Sequence, residues 1–160
     1  MPERERMLRS VFWKAYDSTT VQRYDGTTVR QYDSTTVTKI NMTITNYRDL
    51  EIWSEGMRLC EVIYKITESF PKQEMYGLSV QMRRASISIP SNIAEGFSRK
   101  HGKEFRQFIA IALGSLAELE TQTDMAGRLL YISKEDAAGF VEEMNLLGKK
   151  MTKFYQMIRF

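Results

Sequence analysis

At 160 residues the chain is long enough to bury one sizeable core and short for two. Its 42% hydrophobic and 27% charged residues are those of an ordinary globular domain. The longest uncharged apolar run is about eleven residues, well short of the roughly twenty that span a bilayer, and no sustained apolar segment follows Glu3-Arg4-Glu5-Arg6 as a signal peptide would require. With Cys60 as the single cysteine no intrachain disulfide can form, which fits a cytoplasmic location. The net charge of +3 divides into +2 for residues 1–46 and +1 for residues 47–160, so a nucleic-acid reading has to rest on where the charges lie.

Residues 16–39 are a tandem repeat of period eight, with copies starting at Tyr16, Tyr24 and Tyr32. Each copy offers one Tyr and one Val, too little apolar surface to offset the entropy of ordering it. Residues 1–45 are therefore expected to be a disordered leader, of the kind a translated DNA repeat upstream of a start at Met42 would give. Residues 46–160 are expected to hold the folded domain.

The first helix is predicted from about Asp49 to Ser69, capped by Asn46 or Asp49, with Trp53, Met57, Cys60 and Tyr64 as its apolar stripe and Leu50, Leu59, Ile63 and Ile66 broadening it. Phe70-Pro71 ends it, because a residue before proline is pushed out of the helical region. The second helix runs from about Gly77 to Phe97 and buries Leu78, Met82, Ala85, Ile89 and Ile93. Pro90 inside it leaves the Ser86 carbonyl without its helical donor, so a kink or a break is expected there, with Ser86, Ser88 and Ser91 as hydroxyls able to satisfy freed backbone groups. No strand-turn-helix elbow surrounds these serines, which favours structure over a nucleophile.

The third helix runs from about Lys103 to Leu129 and carries no charge from Gln107 to Ala117, as a helix buried on nearly every side would. The fourth opens at Ser133, whose spacing to Asp136 resembles a capping box, and ends near Ile158. Set antiparallel, helices three and four pair Leu119 with Met144, Leu116 with Leu147, Ala112 with Met151, Ile109 with Phe154 and Phe105 with Ile158. Every rung is apolar on both sides. The same exercise across the turn at residues 98–102 sets Arg83 beside Glu118, predicting a structural salt bridge. The fold class is thus all-α: an antiparallel up-down-up-down four-helix bundle, helix two kinked at Pro90.

Several runs together resemble one family: Tyr47-Arg-Asp-Leu-Glu-Ile-Trp, Tyr76-Gly-Leu-Ser-Val-Gln-Met-Arg-Arg-Ala, Ser88-Ile-Pro-Ser-Asn-Ile-Ala-Glu-Gly-Phe and Ala112-Leu-Gly-Ser-Leu-Ala-Glu-Leu-Glu-Thr-Gln. Over residues 46–158 the chain is similar to the bacterial 23S rRNA intervening-sequence, or S23, proteins, which include the accessory variability determinant of diversity-generating retroelements. The resemblance implies an antiparallel four-helix bundle assembled as a ring, a homopentamer in the best-understood relatives. In the retroelement branch it implies binding to RNA and to a reverse transcriptase. The turn Arg99-Lys-His-Gly lacks the Ser or Thr with which relatives cap helix three, so that helix is expected to start less firmly. The repeat leader lies outside the family pattern.

One His, at a turn, and one Cys leave no Glu-x-x-His pairs for a di-metal site, and no phosphate-cradling glycine loop is present, so no metal, no cofactor and no enzymatic activity are expected. The charge layout says more. An up-down-up-down course gathers Arg99, Lys100, Lys103, Arg106, Lys149, Lys150, Lys153 and Arg159 at one end, and no acidic residue occurs from Met144 onward. A basic end on a nearly neutral domain predicts nucleic-acid binding, and the resemblance implies that the nucleic acid is RNA and that the protein binds it as a homo-oligomer. The alternative is a protein-interaction ring that serves a reverse transcriptase without nucleic-acid affinity of its own.

Overall fold

The computed structural model describes residues 44–158, and every regular element among them is helical. Helices α1 (Glu51–Thr67), α2 (Leu78–Ser98), α3 (Gly102–Arg128) and α4 (Lys134–Met157) fall within two residues of the expected bounds, and short 3-10 turns occupy Tyr47–Asp49 and Lys72–Tyr76. The leader, its tandem repeat and Arg159 lie outside the described residues. Helix α1 packs on α2, α2 on α3, α3 on α4 and α4 on α1, forming a helical bundle. Its centre is apolar: Ile63, Met82, Ile89, Ile93, Ile109, Leu119, Met144 and Met151 have no solvent-accessible surface.

The helix ends follow local chemistry. Asn46 Oδ1 accepts from the Arg48 N–H at 3.0 Å, capping the first 3-10 turn; α1 itself starts after Leu50 with no side-chain cap. Glu74 Oε2 accepts from the Leu78 N–H at 2.8 Å and so caps α2, while Glu74 Oε1 accepts from the Tyr131 hydroxyl at 2.9 Å, tying the α1–α2 turn to the α3–α4 turn. That hydrogen bond raises the Tyr131 pKa. Helix α3 starts after His101 without a side-chain cap, and Ser133 Oγ accepts from the Asp136 N–H at 3.0 Å to open α4. After α2 and α3 the left-handed positions are filled by Lys100 and Leu130, both at φ 58°, where glycine is usual. Gly102 is instead the first residue of α3.

Four expectations need correction. In α1 the buried face is Ile52, Gly56, Leu59, Cys60, Ile63 and Ile66, whereas Met57 and Tyr64 are exposed and Trp53 only half-buried. The bulky residues flank the seam, and its middle holds Gly56, where a side chain would meet Ile89 and Pro90. Helix α3 is not enclosed: Ile109, Ala112, Leu116 and Leu119 are buried, but Ala110, Ile111, Gly114 and Ala117 face outward. Phe105 meets Phe154, one turn before its expected partner Ile158, with ring centroids 5.6 Å apart. Finally, the Arg83–Glu118 bridge does not form. Arg83 Nε donates to Thr67 Oγ1 at 2.7 Å and its guanidinium lies 4.7 Å over the Tyr64 ring, while Glu118 stays on the exposed face of α3 and accepts from Gln122. Antiparallel register sets height along a bundle, not the direction in which a side chain leaves its helix.

Helix α2 runs unbroken across Pro90. The carbonyl freed by the proline is satisfied from another helix: the Cys60 thiol of α1 donates to the Ser86 carbonyl at 3.0 Å. The serine hydroxyls do other work. Ser86 Oγ donates to the Arg83 carbonyl at 2.9 Å, and Ser88 Oγ is 2.8 Å from Ser115 Oγ of α3. Burial raises the Cys60 pKa, which keeps the sulfur a protonated donor. Cys60→Ala should therefore cost about 1–3 kcal/mol, the penalty for an unpartnered buried acceptor. In a Pro90→Ala background, where the helix supplies its own N–H to Ser86, the same change should cost less, and urea unfolding of the four proteins of this double-mutant cycle measures the coupling.

Candidate nucleic-acid interface

The neighbourhood around the α2–α3 turn is built on a close approach. A Cβ at Gly96 would lie 2.5 Å from Phe108 Cβ and 2.8 Å from Phe105 Cδ2, so only glycine lets α2 settle against α3 at this height without a shift. Phe97 and Phe105 then meet edge to face at 5.8 Å, and Phe105 meets Phe154 of α4. Two arginines lie on rings at this place. The Arg99 guanidinium is 5.4 Å from the Phe108 centroid, and that of Arg106 is 4.3 Å from the Tyr155 centroid. None of these aromatic contacts was foreseen from the sequence. The sequence reading pairs Phe105 with Ile158 and Phe154 with Ile109, and gives Phe97, Phe108 and Tyr155 no partner.

The expected basic residues separate into distinct environments. Arg99 pairs with Glu95 at 2.5 Å on the same helix, and that hydrogen bond raises its pKa further. Lys150, expected as a surface charge, is engaged: its ammonium takes Glu51 at 2.7 Å and also Glu55, both on α1. Burial works against the Lys150 charge, but the two carboxylates outweigh it and raise its pKa. Beside them on the α1–α4 seam Glu143 is pushed up by burial, an effect that Arg58 opposes and Glu55 adds to. Lys100, Lys103, Lys149 and Lys153 are exposed and form no ion pair among the described residues.

Lys149 and Lys153 line an open groove of about 430 Å³ between α3 and α4, together with Asn145, Gln156 and Leu116. Glu120 lines it from α3, its pKa raised by burial and by Asp124. His101 is exposed at the turn, away from the serines of α2 in sequence, and no group of three His, Cys, Asp or Glu among the described residues could hold a metal ion. Chemically the arrangement offers cationic donors and flat guanidinium and aromatic surfaces.

The family model of 23S rRNA-intervening sequence proteins matches residues 48–153. The chain belongs to this family. In fold the chain is similar to a crystal structure from Bacteroides thetaiotaomicron VPI-5482, described as a protein with unknown function from the S23 ribosomal protein family. The match has 20% identity and a TM-score of 0.61, and covers 66% of this chain and 95% of that one. No functionally curated protein matches the chain. Among the described residues no helix is long and apolar enough to cross a membrane.

The position of Lys150 yields a sharp expectation for this family member. Lys150→Met should lower stability by about 0.5–1 kcal/mol, since the pair is partly exposed and screened, whereas Lys149→Met should be near neutral. The folded pKa of Lys150 is raised, so its contribution is present below its ordinary value of 10.5 and is lost as pH rises through the folded value. Thermal melts of parent and variant should differ at pH 7–9 and converge once the lysine is deprotonated in both states.

Proposed function

We propose that this protein is a non-enzymatic, oligomeric bundle that binds RNA through the surface formed by Lys100, Lys103, Lys149 and Lys153. The observation that carries the reading is that these four ammonium groups have no acidic partner among the described residues, although the domain as a whole is nearly neutral. Uncompensated lysines gathered at one end attract phosphates and release counterions on binding. The family's name refers to rRNA, which agrees with this choice of polymer.

An up-down-up-down course brings these lysines together. Supporting it, late residues of α1 meet early residues of α2, as Thr67 does Arg83. Late residues of α2 meet early ones of α3, as Phe97 does Phe105, and Leu116 of α3 lies against Gly148 of α4. We also propose that α2 bends at Pro90 rather than breaking there.

Replacing Lys149 and Lys153 together, or Lys100 and Lys103 together, by Glu should abolish binding of labelled RNA in an anisotropy titration. Each single Lys→Ala change should flatten the salt dependence, in log-log form, by about 0.7–0.9 for every phosphate that is no longer neutralised. Lys150 is left intact because Glu51 and Glu55 already engage its charge. Doubly substituted, folded protein that binds RNA as tightly as the parent at every salt concentration would remove the proposal.

Self-association is a proposal with its own support. Ala110, Gly114 and Ala117 make an outward stripe of small residues beside Ile111, which is 44% exposed, and such a stripe allows a second copy to approach closely. Light scattering at micromolar concentration should give a mass several times 18.7 kDa. A monomer throughout would remove the ring.

The alternative of a protein-interaction ring, with a reverse transcriptase as partner, draws on the opposite turns. Tyr76 is 89% exposed and Leu130 73%, and both are apolar surface that RNA binding leaves unused. Failure of every RNA titration together with capture of a reverse transcriptase would favour it.

A further inference from the structure

We infer that the basic end takes an unpaired polynucleotide strand rather than a duplex, with bases stacked on guanidinium planes and phosphates held along the α3–α4 groove. This rests on the RNA-binding reading above and specifies the form of its ligand. Guanidinium groups already lie on aromatic rings in the turn before α1, at the end of α2 and early in α3, which the proposed up-down-up-down course brings to one end: Arg48 at 4.6 Å from the Tyr47 centroid and 5.9 Å from that of Trp53, Arg99 on Phe108, and Arg106 on Tyr155. Arg48 and Arg99 are exposed, and Tyr47 and Trp53 are themselves locked edge to face at 5.3 Å. A guanidinium pressed on a ring has given up much of its rotamer freedom, and its outer face is a flat, weakly hydrated platform. Unpaired bases stack on such planes; bases inside a duplex have both faces occupied and cannot.

The placement of the lysines agrees. Lys149 and Lys153 stand one turn apart on α4 and line the groove, and Asn145 and Gln156 continue the same wall with neutral donors. Glu120 faces them across the groove and repels phosphate from its α3 side, which leaves the α4 wall as the phosphate track. A cationic groove beside stacking platforms is the combination by which single strands are held with little regard to sequence. A groove between neighbouring helices, whose axes are about 8–10 Å apart, admits one strand and is too narrow for two.

The test uses the full chain and fluorescein-labelled 20-nucleotide RNA of mixed sequence, read by anisotropy as the single strand and as its perfect duplex. The single strand should bind about tenfold or more tightly than the duplex. Arg48→Lys, Arg99→Lys and Arg106→Lys, combined, keep the charge but remove the planes, and should weaken single-strand binding about tenfold with the salt slope unchanged. A second measurement needs no variant: a strand with several abasic positions keeps its phosphates and should bind the parent protein about tenfold more weakly than the intact strand. Equal affinity for strand and duplex, or for intact and abasic strands, overturns this inference while leaving the basic end as an RNA surface. Binding of neither form at low salt overturns both. A DNA strand binding as well as the RNA strand supports stacking and phosphate contact as the shared chemistry; RNA preference adds contact to the 2′-hydroxyl and supports it equally.

Discussion

Every polar group inside α2 has to find a partner before the bundle can close. The helix is packed on both sides, by α1 and by α3, and it carries an internal proline, serines and an asparagine in its middle turns. An unpartnered buried carbonyl or hydroxyl would cost a large fraction of a domain's net stability. The solution is distributed. Cys60 of α1 supplies the donor that Pro90 removed from Ser86, the Ser86 hydroxyl turns back to Arg83, and Ser88 faces Ser115 on α3 while Asn92 donates to the Ser88 carbonyl at 2.7 Å. These links set the heights of α1 and α3 against α2 in ways that apolar contact alone, being non-directional, does not. Gly96 then fixes the spacing two turns beyond, where a methyl group would already collide with Phe108.

That scaffold separates two kinds of charge. Along the α1–α4 seam Lys150, Glu51 and Glu55 join the helices, and Glu143 is half-buried with its carboxyl pushed toward neutrality. These charges are engaged with one another and have little to offer a ligand. Around the α2–α3 turn and along the outer wall of α4 the lysines have no such partners among the described residues, and the arginines lie on rings. A count of basic residues at one end of the chain's topology merges the two groups, although they act in opposite directions. One joins elements of the fold, and the other leaves positive potential at the surface.

Much of the candidate interface was legible, and the failures share one cause. The helix bounds came through because apolar periodicity, Pro71 and the Ser133 cap act within a few residues of each other. Lys149 and Lys153 were identified as exposed donors for the same local reason. The Arg83–Glu118 pair failed because it compared heights across a turn and ignored azimuth. Lys150 was misread because its partners lie about a hundred residues earlier, at the start of α1. The α1 stripe rotated because Trp53, Met57 and Tyr64 are apolar enough to read as core, whereas the face that packs inward is Ile52, Gly56, Leu59, Cys60, Ile63 and Ile66.

By itself, then, the sequence determined the number and extent of the helices, the apolar layer between α3 and α4, the proline that deprives Ser86 of its donor, and the family. All of these follow from spacing and local stereochemistry, which a chain carries before it folds. Only tertiary structure decided that a cysteine would answer the proline, that Lys150 would be neutralised from α1, that one side of α3 would face outward and that guanidinium groups would settle on aromatic rings. Those outcomes depend on the direction in which each side chain leaves its helix and on how closely two backbones approach, and neither quantity exists until the helices are packed.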